Sequence, residues 1–168
     1  MKPKGLQIGA VLLVPATFLG LVLSVVLLLG DSKPASADCG PAVSVAISAE
    51  SKVDGYSTEQ LRNAAAIMNA GRSLNLSAKG QMVSVMVALG ESGLRVLDKG
   101  DGAGPDSRGL FQQRDNGSWG SYADRMDPTR STTNFIKALQ AVPGWELLEP
   151  TLAGNKVQRN ADPYHYQK

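Results

Sequence analysis

Glu91 stands in the stretch V-A-L-G-E-S-G-L-R, directly after an apolar run of the kind that heads into a protein core. Held against apolar neighbours such as Val87, Leu89 or Leu94, its carboxyl would lose solvation, keep its proton nearer neutrality and serve as a general acid. The plain alternative is a helix-end acid in water. Asp98, Asp101, Asp106 and Asp115 follow in a glycine-rich stretch and are the candidates for a second carboxylate, although spacing alone ranks none of them above the others. Asp98, Asp101 and Asp106 also raise a calcium loop. The position that would need a bidentate Glu, twelfth from Asp98, is Gly109, so calcium is not expected. The chain has 1 Cys and 1 His, Cys39 and His165, which rules out an internal disulfide and a CxxC-type zinc site. His165, in Y-H-Y, reads as a packed or surface aromatic, and Cys39 as a free thiol. No metal or cofactor is implied.

The elements that must position Glu91 are helical. Ser57 and Gln60 form a capping box, and Leu61, Ala64, Ala65 and Met68 then recur at helical spacing, which predicts a helix over about 58–72. Ser77 caps a second helix of about 12 residues, in which Met82, Val85, Met86 and Leu89 form the expected buried stripe before Gly90 and Gly93 loosen the backbone. Glu91 then lies about four turns below the cap, at the end that points out of the core. Asp127-Pro128 opens a helix with Phe135, Leu139 and Val142 on one face, closed by Pro143-Gly144, and another is expected from about Glu146 to Val157. Between the second and third helices, Leu97 to Tyr122 is dense in Gly, Asp and Ser, with Leu110, Phe111 and Trp119 as its anchors to the core. Irregular stretches of this length inside a compact domain are usually functional or disordered. Four helical segments and no convincing strand pair make the domain mainly α.

At 168 residues and 43% hydrophobic, the chain can bury one core, and one folded domain is expected. A formal charge of +2 without a basic cluster argues against a nucleic-acid partner. Lys2 and Lys4 precede a run from Leu6 to Gly30 broken only by Gln7, Thr17 and Ser24, long enough to enter a bilayer as a transmembrane or signal helix. Ala35-Ser36-Ala37 matches a cleavage pattern, but the apolar run exceeds that of an ordinary signal peptide, so an uncleaved or slowly cleaved anchor is expected. The charge pattern puts the rest of the chain outside the membrane, anchored or secreted. Residues 1–37 are thus the anchor or signal segment, 38–55 an extracytoplasmic linker read as tether, and 56–168 the folded domain.

Glu91-Ser92-Gly93 at a helix end, a Gly-rich loop and then Gly109-Leu110-Phe111-Gln112 together resemble the lysozyme-like superfamily of peptidoglycan-cleaving enzymes. Its lytic transglycosylases close a helix with a catalytic Glu followed by Ser, and line the glycan cleft with a downstream G-[LIV]-[MF]-Q element. The E-S-G is also similar to that of resuscitation-promoting factors, and the domain resembles lysozyme-like modules carried on actinobacterial and conjugative-element membrane anchors. The resemblance covers roughly residues 58–160. It implies a lysozyme-like helical domain with a Gly-rich cleft loop and cleavage between N-acetylmuramic acid and N-acetylglucosamine, with Glu91 as catalytic acid. Ser92, Gln112, Gln113, Trp119 and Tyr122 are then the substrate-binding candidates. Of Trp119, Tyr122 and Trp145, one is expected to stack on a sugar, and Phe111 is expected in the core. Implied partners are peptidoglycan glycan strands, with a companion peptidase domain or transfer-apparatus proteins as further possibilities. Muramidase and transglycosylase remain joint readings, and the alternative is an inactive lysozyme-like module that binds wall glycan or scaffolds a transfer or secretion apparatus.

Overall fold

A computed structural model describes residues 44–48 and 51–167. The expected anchor, the cleavage pattern and Cys39 lie outside the described residues; within them, no helix is long and apolar enough to cross a membrane. The described chain is mainly helical: α1 (Thr58–Ser73), α2 (Ala78–Ser92), α3 (Tyr122–Met126), α4 (Pro128–Gln140), one 3-10 turn (Trp145–Leu147) and α5 (Pro150–Gln158). α1 packs on α2 and α4, and α2 packs on α5.

Local chemistry explains most boundaries. The Ser57 hydroxyl accepts from the Gln60 N–H at 3.3 Å while the Gln60 side chain accepts from the Ser57 N–H at 2.8 Å, which satisfies two backbone donors at the start of α1. Asp127 caps α4 through the N–H groups of Thr129 and Arg130, with Pro128 in the first turn. The short α3 was not expected. Its signal is a capping box between Ser121 and Asp124, with Asp in place of the usual Glu or Gln. The last helix begins at Pro150 and not near Glu146, because a residue before proline is pushed out of the α region. Glu149 accordingly has φ −58° and ψ 147°, and Trp145–Leu147 forms a separate turn. Part of the expected tether is also fastened: the Val45 N–H and carbonyl both pair with the Asn69 side chain of α1, at 2.8 and 2.9 Å.

The buried face of α2 differs from the expected stripe. Met82 is 50% exposed and Leu89 39%, whereas Val83, Val87 and Ala88 are fully buried, with Gly80 and Ser84 beside them. Steric room decides this. A Cβ on Gly80 would lie 2.8 Å from the Trp145 ring, and one on Gly154 of α5 would lie 2.6 Å from a Val87 methyl. Close approach by α5 and the indole selects the small residues, and the large ones turn outward. Val85 and Met86 pack at the edge of the core. Its centre is the stacked pair Phe111 and Phe135, 4.6 Å between ring centroids, with Ile67, Leu110, Ile136 and Leu139.

Candidate functional site

Three devices fix the end of α2. Gly93 and Leu94 are both left-handed, φ 62° and 60°, and the Leu94 N–H closes back on the Ala88 carbonyl at 3.2 Å. From α1, Gln60 donates to the Gly93 carbonyl at 2.7 Å and Asn63 to the Leu94 carbonyl at 2.8 Å. The buried Ser92 hydroxyl lies 2.9 Å from the Ala88 carbonyl and 2.8 Å from that of Leu110, and so ties the helix end to the glycine-rich loop. Ser92 does not border the groove described next; its hydroxyl is occupied by backbone.

That groove, of about 850 Å³, lies between the end of α2, the loop, α4 and the end of α5. Its volume suits a ligand of a few rings. Glu91 and Gln112 both border it, as do Gln113 and Trp119. Glu91 is half-buried, and the groups that meet its carboxyl are polar, unlike the apolar surround expected from its neighbours in sequence. Oε1 accepts from the Tyr166 hydroxyl and, at 3.2 Å, from the Asn160 side-chain amide. Tyr166 also lies 2.8 Å from the Asn160 side-chain carbonyl, so its single proton is shared between two acceptors. Burial, followed by the hydrogen bond to Glu91 and the negative charge of that group, pushes the Tyr166 phenol well above its ordinary pKa and keeps it a neutral donor. Oε2 receives no hydrogen bond from the described residues.

Room for Tyr166 comes from two glycines. A Cβ on Gly90 would fall 2.6 Å from its ring, and one on Gly154 would fall 3.2 Å away. Gly90 therefore clears space for the ring beside Glu91. His165 packs edge-on against the same ring, with centroids 4.9 Å apart, as an aromatic contact.

The loop residues divide between groove and core. Gln112 is left-handed at φ 46°, with its amide donating to the Gly109 carbonyl at 3.2 Å. Gln113 is 1% exposed and pairs through its backbone with Arg108, while its amide donates to the Ser131 carbonyl at 3.0 Å and its Oε1 is buried without a partner. Trp119 is half-buried and the Asn134 amide holds its carbonyl at 3.0 Å. Tyr122 does not border the groove; it is 51% exposed, and the Asp98 carboxylate beside its hydroxyl raises its pKa. Trp145 and Phe111 are core residues. Of the three aromatics considered for sugar stacking, Trp119 is the one on the groove.

Among the four aspartates, only Asp101 borders the groove, and its Oδ1 already accepts from the Ala103 and Gly104 N–H groups at 3.0 and 2.8 Å. Asp98 pairs with Arg108 at 2.9 Å and Asp115 with Arg125 at 3.2 Å. Asp106 pairs with Arg114 at 2.5 Å, and the Asp115 N–H is the main cause of its lowered pKa. No group of three or more metal-ligating side chains occurs among the described residues.

Sequence reasoning did not find Tyr166, Asn160 or Arg125. Arg125 is 3% exposed and reaches the Asp106 and Gln113 carbonyls at 3.2 and 3.5 Å, which braces the loop from beneath. No protein-family model matches this chain, and none of the curated proteins compared with it is similar in sequence.

Proposed function

We propose that this protein cleaves the glycosidic bond between N-acetylmuramic acid and N-acetylglucosamine in peptidoglycan, with Glu91 as its single general acid. The observation that carries this reading is that Glu91 and Gln112, 21 residues apart, border one groove, with the Glu91 Oε2 unengaged by the described residues. On this reading the frame is lysozyme-like, the N-terminal segment anchors or exports the chain, and the domain works outside the membrane.

Tyr166 and Asn160 hold Oε1 and leave Oε2 without a hydrogen bond from the described residues, so Oε2 is the oxygen that serves the groove on this reading. The reacting form is the one that carries a proton on Oε2: that proton passes to the glycosidic oxygen, the bond from that oxygen to the anomeric carbon breaks, and positive charge spreads onto the ring as in an oxocarbenium ion. The carboxylate left behind faces the cation and can take a proton from the incoming hydroxyl. That hydroxyl belongs to water in a muramidase, or to the sugar's own C6 in a transglycosylase. Gln112 offers an amide to a sugar substituent, and Trp119 a ring face for stacking.

Glu91→Gln keeps the shape of the side chain and removes the transferable proton. Release of soluble muropeptides from purified sacculi is expected to fall by about 10² to 10⁴-fold while sacculus pull-down is retained. Unchanged release would remove Glu91 as the acid; wild-type pull-down without any release would favour the glycan-binding module. Mass spectrometry of the products then separates a 1,6-anhydro end from a reducing end.

A further inference from the structure

Charge is distributed unevenly around the groove. Its loop side carries Asp101 and an Arg114 already paired with Asp106. Its helical side, built from α4 and the end of α5, carries Lys137, Lys156 and Arg159, all exposed and none in an ion pair with a described residue. Lys137 and Lys156 stand in the last turns of their helices, where cations also favour the helix dipole. The dipole does not account for Arg159, which sits just past α5 with φ 60°, a conformation glycine adopts without strain. From that position it borders the groove next to Asn160, the residue that holds Glu91.

Resting on the reading that the groove takes wall glycan, we propose that Lys137, Lys156 and Arg159 form an anion-binding wall that selects strands carrying carboxylates on the sugar over neutral strands of the same backbone. Three like charges on one side of a concave site focus their field on whatever enters it, and a neutral N-acetylglucosamine polymer has nothing to offer them. Two sources can supply the carboxylates: the lactyl group of a muramic acid that carries no peptide, and, where the lactyl carboxyl is bound as an amide, the peptide attached to it.

The test is equilibrium retention of the full chain on three immobilised polymers at low and high salt. These are intact sacculi, the glycan strands that an amidase frees of peptide, coupled to a resin through their reducing ends, and chitin. The wild type is expected to bind sacculi roughly tenfold more tightly than chitin at low salt, with that preference collapsing as salt screens the wall. Because the amidase removes the peptide and frees the lactyl carboxylate, retention on stripped strands at or above that on intact sacculi shows that the lactyl carboxylate suffices; a drop to the chitin level assigns the peptide. The triple substitution Lys137→Gln, Lys156→Gln, Arg159→Gln should bring sacculus retention down to the chitin level, and Lys137→Arg, Lys156→Arg, Arg159→Lys should restore it. Equal retention of sacculi and chitin by the wild type, or a salt-sensitive preference that survives in the triple variant, overturns the inference. Each of these chains also carries Glu91→Gln, which leaves the polymers uncut, so the binding outcome is independent of product release, on which the assignment of Glu91 stands or falls.

Discussion

Phe135 and Arg125 are both almost fully buried, yet they hold different parts of the molecule in place. Phe135 stacks on Phe111 inside a cluster of aliphatic side chains, and the helices around it are joined by contact and by small residues that let them approach. Arg125 lies beneath an irregular loop and is engaged by the Asp106 and Gln113 carbonyls and by Asp115. One region is stabilised by excluding water, the other by satisfying backbone groups that a loop cannot pair with itself. The site sits on the seam, with its acid from the helical frame and Gln112 from the loop. Damage to either region should therefore reach the groove, but with different signatures.

The largest effect is expected in the frame. Phe135→Ala removes a fully buried ring and leaves a cavity beside Phe111, which should lower global stability by about 3–5 kcal/mol. Urea unfolding followed by helical circular dichroism measures it; a loss below 1 kcal/mol would mean that the stacked pair is not the centre of the core. In the loop, Gly109→Ala is the sharper probe. Gly109 has φ 75°, and a Cβ there would run into the Arg125 carbonyl, so strain and crowding together should cost roughly 2–3 kcal/mol. Since the only helix touched by that contact is the five-residue α3, most of the helical signal should persist at low temperature while the proposed muropeptide release is lost. Full activity in Gly109→Ala would show that the loop can move away from α3 without disturbing Gln112.

A smaller effect belongs to the seam itself. Tyr166→Phe removes the donor to Glu91 Oε1 and is expected to destabilise the chain by about 1 kcal/mol at neutral pH. The phenol has a raised pKa in the folded state, so the folded form keeps its proton at a pH where the unfolded form has lost it. Its contribution is therefore complete below pH 10 and declines as pH rises above that value. The gap in melting temperature between wild type and Tyr166→Phe should be constant from pH 7 to 9 and narrow by pH 11; a gap that widens would reverse the sign assigned to the phenol.

Frame and loop were not equally readable in the sequence. α1 and α4 announce themselves through Ser57 with Gln60 and Asp127 with Pro128, because capping is local chemistry written within a few residues. The E-S-G and G-L-F-Q segments are local too, and they single out Glu91 and Gln112, the residues that border the groove. Tyr166 and Asn160 left no comparable trace. They meet Glu91 only once α5 has folded against α2, and the feature that admits the ring, Gly90 opposite Gly154, is visible as a purpose only in three dimensions. Ser92 shows the converse, since its place beside the acid suggests a role on the substrate while its hydroxyl is taken up by backbone carbonyls.

The face of α2 offers the smallest expected effect and the cleanest separation of pattern from packing. Met82, Val85, Met86 and Leu89 and the set Gly80, Val83, Val87 and Ala88 are both apolar at helical spacing, so periodicity cannot choose between them. Volume can. The neighbours are an indole and a closely packed helix, and only the small set fits against them. If packing made the choice, Met82→Gln with Leu89→Gln should change unfolding free energy by about 0.5 kcal/mol or less, as surface substitutions usually do. Val83→Ala, on the buried side, should cost about 1–3 kcal/mol through lost transfer energy and the cavity left behind. If the outer pair cost more than the inner single change, α2 would have to be rotated about its axis. The rotation would carry Glu91 away from Tyr166 and out of the groove, so a stability measurement on residues that touch no ligand also tests the placement of the acid.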